Sequence, residues 1–145
     1  KILWFIDCAA YRKFGESVSG LESYKRRQFG PVPSSMPIVI RELSQSGAVS
    51  ETVADTPVGA RREFHSTTEP DINAFSKEEL DLINQVLIEH VAYSAAEISD
   101  ISHDALWEET PMNADMPVSS GAFAPVEISA GCIDWAESEI SRLKL

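Results

Sequence analysis

The chain predicts a mainly helical α+β fold, with about five helices and one β-hairpin in a single compact domain. Three observations lead there. Apolar residues recur at helical spacing over several stretches, and two of these open on a Ser-x-x-Glu capping box, Ser76 to Glu79 and Ser94 to Glu97. One stretch, residues 48–66, switches to strand period around turn residues. The 145 residues are 43% hydrophobic, enough for one core; a chain of this size buries roughly 68–70% of its unfolded surface.

Lys1 to Phe14 reads as the first helix. Leu3, Trp4, Phe5, Ile6, Ala9, Ala10, Tyr11 and Phe14 cover most of its faces, the pattern of a centrally buried helix. Gly15 supplies its stop, and Arg12 and Lys13 complement the dipole in the last turn. Asp7 sits inside this helix, four residues before Tyr11. A buried carboxylate must be paired or hydrogen-bonded, so Asp7 is expected to hold a loop amide, a Tyr or an Arg such as Arg26 or Arg27. The apolar run Ile2 to Ile6 is cut by Asp7 and is followed by no leader-type cleavage site. No stretch approaches the ~20 apolar residues of a membrane span. Position 1 is not Met, so residues upstream of Lys1 are expected.

Ser17 to Gln28 is read as a polar connection turning at Ser19-Gly20. Lys25-Arg26-Arg27 fits a solvated edge strand, or a contact to phosphate or to an acidic partner. Gly30-Pro31-Val32-Pro33 is a rigid corner. Two prolines fix φ, remove two donors and push the preceding residues out of the helical region. A second helix restarts at Ser34 or Ser35, with Met36, Ile40 and Leu43 as its stripe and Gly47 as its stop; Pro37 is tolerated in the first turn.

In the hairpin, Val49 and Val53 share one face, Asp55 to Gly59 make the turn, and Arg61 to Ser66 return. The third helix buries Leu80, Ile83, Leu87 and Val91; the fourth buries Ile98, Ile101 and Ala105. Phe75 with Leu80 and Tyr93 with Ile98 stand where hydrophobic staples belong. The two helices form a corner of the helix-turn-helix kind. Residues 111–130 read as an irregular segment, with Met112, Met116 and Phe123 packed down or offered as contacts. Residues 131–145 are the last helix, carrying Ile133, Ala136, Ile140 and Leu143 with Trp135 beside them.

Charge is uneven. The net charge is −11. Residues 1–68 carry nine basic and seven acidic residues, and residues 69–145 carry three and sixteen. The second half repels a phosphate backbone and attracts cationic surfaces. A recognition helix bearing Glu97, Asp100 and Asp104 is unsuited to a major groove, so nucleic acid is an improbable partner. Cys8 and Cys132 lack metal-type spacing and read as reduced, packed thiols. His65, His90 and His103 show no metal-ligand spacing, so no metal or other cofactor is expected. Ser102-His103-Asp104 cannot form a relay among themselves, because consecutive helical residues diverge by about 100°. His103 reads as a helix-end hydrogen bonder and Trp107 as a packing anchor.

Three pieces together carry a resemblance: Leu3-Trp-Phe-Ile-Asp7 with Tyr11; Ser19-Gly20, Tyr24 and Gly30-Pro31-Val32-Pro33; and Glu79-Leu80, Ser94 to Glu97, and Ile101-Ser102-His103 with Trp107 and Thr110. Their order and spacing resemble the Panacea domain of SocA-like antitoxins and prophage-associated proteins, over about residues 1–110 of one domain spanning 1–145. The resemblance implies a cytoplasmic antitoxin that neutralises a cognate protein toxin by binding it, with no catalysis, no catalytic residue and no membrane; it leaves homo-oligomerisation open. Candidate contacts are Asp7, Tyr11, Tyr24, Phe29, Ser102, His103 and Trp107. Two other readings stand beside it. One is a DNA-binding regulator using the helical corner with Arg61-Arg62 as a wing; the other is a hydrolase pairing Asp7 with His103.

Overall fold

The chain is seen in a computed structural model that describes residues 1–56, 59–124 and 130–143. The first helix, α1 (Ile2–Phe14), ends on Gly15 in the left-handed region, whose amide donates to Tyr11 O. Trp4, Ile6, Asp7, Cys8 and Ala10 are buried along it. After a turn through Gly20, which also has positive φ, the chain forms β1 (Ser23–Arg27) and β2 (Gly30–Val32). The two pair antiparallel, Lys25 opposite Val32 and Arg27 opposite Gly30. A third strand, β5 (Asp115–Pro117), pairs with the other side of β1, Tyr24 opposite Met116, so the sheet order is β2-β1-β5.

This small sheet corrects two expectations. Lys25-Arg26-Arg27 lies in the central strand, not on an edge. The region read as irregular contains β5 and a short helix, α6 (Val118–Phe123). Residues 125–129 of that region lie outside the described residues. Burial explains the order found there. Met116, Val118 and Ala122 join Trp4, Cys8 and Tyr24 in the core, with Leu3, Phe5, Tyr11, Leu21, Leu106 and Trp107 packed against them. The Trp4 and Tyr24 rings meet edge to face at 5.1 Å, a favoured aromatic geometry. Met112 and Phe123 stay exposed. The Arg12 guanidinium donates twice to Ala122 O, at 2.8 and 2.6 Å, holding a free carbonyl at the end of α6.

A second unit follows. Helix α2 (Met36–Gln45) starts with Pro37 in its first turn and buries no residue. Strands β3 (Val49–Thr56) and β4 (Gly59–Ser66) form the predicted hairpin; Pro57 and Val58 of its turn lie outside the described residues. Most of this unit is exposed, including Ile38, Val39, Leu43, Val53 and Phe64.

Both capping boxes are present. Ser76 opens α3 (Lys77–His90) and Ser94 opens α4 (Ala95–Ile101), each accepting from the N3 amide while the N3 Glu bonds back to the cap. The hydrogen bonds hold the Glu79 and Glu97 carboxyls below the usual carboxylate range. Phe75 and Tyr93, placed as staples, are exposed; the Tyr93 ring packs edge-on against His90 at 6.1 Å.

The buried faces of these helices are rotated from expectation. In α3 the buried residues are Leu82 and Val86, while Leu87 and Val91 face solvent. Seven apolar residues between Leu80 and Val91 make an arc wider than α1 can cover. In α4 the buried residues are Ile98 and Ser99, followed by Ser102; Ile101 and Ala105 are exposed.

The helix also stops sooner than expected. Asp104 caps a new one, α5 (Ala105–Glu109), accepting from the Trp107 amide at 2.9 Å. With α5 and α6, the described residues hold seven α-helices, two more than expected. The last, α7 (Ala130–Leu143), exposes Ile133, Trp135, Ile140 and Leu143; the side chains of Cys132 and Ala136 lie outside the described residues.

Candidate functional site

The candidate residues fall into three groups. The first surrounds Asp7, which is fully buried in α1. Its carboxylate accepts the Ser19 amide at 3.0 Å, the Ser19 hydroxyl, and the Tyr24 hydroxyl at 2.5 Å. The Ser19-Gly20 turn brings its donors to α1, and β1 brings Tyr24. Asp7 thus takes the loop amide and the Tyr among its predicted partners. Arg26 and Arg27 are engaged elsewhere. Burial, reinforced by the hydrogen bond to Asp7, raises the Tyr24 phenol well above its usual range. Burial also pushes the neighbouring Cys8 thiol up to about 12, with help from the Asp7 and Asp104 carboxylates.

The second group ties the β1–β2 turn to α4. Gly30 has φ +118° and lies directly against Ser102; a Cβ there would collide with the Ser102 hydroxyl. Ser102 is buried and donates to Ser99 O at 2.7 Å. Ser99 in turn donates to Phe29 O at 2.7 Å and accepts from Lys1 Nζ at 2.9 Å. The Phe29 backbone is therefore pinned while its residue remains 65% exposed.

The third group is built on Trp107. The His103 imidazole stacks on its indole at 3.6 Å between centroids. The Arg26 guanidinium lies 3.9 Å from the ring, and Arg26 Nε donates to Trp107 O at 2.8 Å. Trp107 Nε1 donates to Arg27 O at 3.1 Å. This cation–π and stacking arrangement uses Arg26 inside the fold. His103, expected as a helix-end hydrogen bonder, bonds through its backbone amide to Asp100 O; its buried Nε2 has no hydrogen-bond partner among the described residues.

Two of the seven candidates meet directly through Asp7 and Tyr24, and two through His103 and Trp107. Asp7, Tyr24 and Ser102 are inside the protein. Tyr11 lines an open cleft of about 620 Å³ with Leu21, Ser23 and Val118. No hydrogen bond joins Asp7 to His103 among the described residues, so the pair posed for a hydrolase is not assembled. The supposed wing is also accounted for: Arg61 pairs with Glu63 and Arg62 with Glu51.

The order of these pieces along the chain matches a known family. The family described as Antitoxin SocA-like, Panacea domain, matches residues 1–108. The chain belongs to that family. No curated protein and no solved structure matches it. Within the matched Panacea span, Ser99 and Arg26 are organising polar residues, the first without a signal in the sequence and the second expected on Asp7 or at a solvated edge. Ser99 carried no signal beyond its place in the second capped helix. Arg26 was visible as a cation near the corner, but its aromatic partner lies 81 residues away.

Proposed function

We propose that this Panacea-domain chain is the antitoxin of a bacterial or phage toxin–antitoxin pair and neutralises a cognate protein toxin by direct contact in the cytoplasm. Its membership of the SocA-like antitoxin family over residues 1–108 carries the reading. The geometry agrees with it. The polar motif residues Asp7, Tyr24 and Ser102 are consumed in internal hydrogen bonds, so they shape the frame from within. Phe29, Tyr11, His103 and Trp107 are the candidate contacts with surface left to offer a partner. No helix among the described residues is long and apolar enough to cross a membrane.

The test is co-expression of this chain with the product of the adjacent small open reading frame. We expect the second protein to arrest growth alone, and this chain to restore growth and co-purify with it. Failure of both rescue and co-purification overturns the proposal.

A further inference from the structure

The open cleft of about 620 Å³ lies where the end of α1 and the turn after it meet the start of α6. Its volume falls in the range of small-ligand sites. Val118 is buried there, Tyr11 and Leu21 are half-buried, and Glu16 and Glu22 are exposed. The charge of the lining has one sign, because Glu16 and Glu22 line the cleft and no Lys or Arg does. Neither Glu side chain has an ion-pair or hydrogen-bond partner among the described residues. Neighbouring cations are engaged elsewhere: Arg12 donates to Ala122 O, Lys13 lies over the Phe14 ring, and Lys25 pairs with Asp115 at 2.8 Å. A cleft lined by one sign of charge concentrates counter-ions. Helix α1 adds the negative pole of its dipole where it ends on Gly15.

Hydrogen bonding narrows the ligand class. The amides of Gly15, Gly20, Leu21 and Val118 already donate, to Tyr11 O, Ser17 O, Ser19 Oγ and Glu22 O. The Ser17 hydroxyl donates to Leu21 O at 2.8 Å, and the Ser23 hydroxyl to Asp115 at 3.3 Å. Pro117 has no amide hydrogen. What the cleft has left to offer is mainly acceptors, the two carboxylates first. The Tyr11 hydroxyl, which has no hydrogen-bond partner among the described residues, adds another. An anionic ligand would meet like charge and few donors. A guanidinium, with five donors and no acceptor, has the complementary set. We propose that this cleft receives an arginine side chain of the partner protein, its guanidinium held by Glu16 and Glu22 and its stem laid along Tyr11 and Leu21. This deepens the antitoxin reading, on which the partner's identity rests.

The experiment titrates the full ¹⁵N-labelled chain at low salt with N-acetyl-arginine amide, and separately with N-acetyl-citrulline amide, its uncharged isostere. The arginine compound should shift the amide signals of Gly15, Gly20 and Ser119, and the citrulline compound should not. The variant E16Q/E22Q should weaken that binding by roughly tenfold, the loss expected from two exposed charge pairs. Its melting temperature should match the wild type, because neither carboxylate is used within the fold. No shift with the arginine compound, equal shifts with both compounds, or undiminished binding by the variant overturns the proposal. So does a wild-type dimer in sedimentation that the variant converts to monomer, since the occupant would then be a second copy. In the co-expression assay, the charge-reversed variant E16K/E22K should lose rescue that the wild type provides. Undiminished rescue by that variant sinks the cleft and leaves the antitoxin reading intact. Absence of rescue by the wild type counts against that reading, and the titration still decides the cleft.

Discussion

Gly30 and Ser102 touch across the junction of the β1–β2 turn and α4, with no room for a side chain between them. The contact joins the Gly-Pro-Val-Pro corner to the Ser-His segment, two pieces of the family pattern far apart in sequence. Their pairing requires both a positive φ and a missing Cβ at position 30, which glycine alone supplies.

Replacing that glycine should therefore act twice. Gly30→Ala imposes backbone strain of about 1–3 kcal/mol and drives a methyl into the Ser102 hydroxyl. Ser102→Ala alone should cost about 1 kcal/mol through the lost bond to Ser99 O. In the double variant the collision is relieved but the strain remains. Chemical denaturation should show the pair to be less destabilising than the sum of the singles; additivity within about 0.5 kcal/mol would mean that the two sites do not interact.

The buried core should fail in alkali through two identified groups. The Cys8 thiol, normally near 9.0, is raised to about 12, and the Tyr24 phenol is raised above its usual 10.0. Each binds its proton more tightly folded than unfolded. Their contribution is complete below pH 9 and is lost as pH climbs through the raised values. Melting temperature should fall steadily above pH 9. Cys8→Ala should flatten the curve from there, and Tyr24→Phe from pH 10 upward, while costing about 1.5–3 kcal/mol at neutral pH through the lost bond to the Asp7 carboxylate. Curves that stay parallel to the wild type would refute the assignment. A thiol reagent at pH 8 should leave Cys8 unmodified until the chain is unfolded.

Two helical glycines should respond with opposite sign. Gly121 in α6 lies against Trp4 and Cys8, where an added Cβ would meet the indole and come within 2.9 Å of Cys8 Sγ. Gly121→Ala should lower stability by about 1–3 kcal/mol through overpacking. Nothing lies within 4 Å of a Cβ at Gly131 in α7. Gly131→Ala should be neutral or stabilising, by up to about 1 kcal/mol. Equal responses in thermal melts would dismiss the close packing of α6 on α1.

What the sequence made legible was local. The capping boxes, the Gly15 stop and the hairpin are each specified within a few residues, so their patterns read directly. Asp7 was legible as a buried carboxylate needing a loop amide or a Tyr, because burial of charge admits few solutions. The β1–β5 pairing was not, since Ser23 and Asp115 are 92 positions apart and a three-residue strand has no periodicity. Nor was the phase of α3. Its wide apolar arc identifies a helix but not which half a neighbour covers. The partner of Arg26 is hidden for a similar reason: whether a cation seeks a carboxylate or an indole depends on which one the fold delivers, and here α5 delivers Trp107.

The dependence of β1 and α1 on residues 115–122 has a consequence for synthesis. When the ribosome has released the chain only as far as Glu108, the first helix still lacks Met116, Val118 and Ala122 to sit against, and its indole and thiol remain open to the surroundings. Native closure is deferred until residues 115–122 have emerged, and contacts of such long sequence separation form slowly. Until then α1 stays unguarded, the kind of exposed apolar surface that chaperones exist to cover.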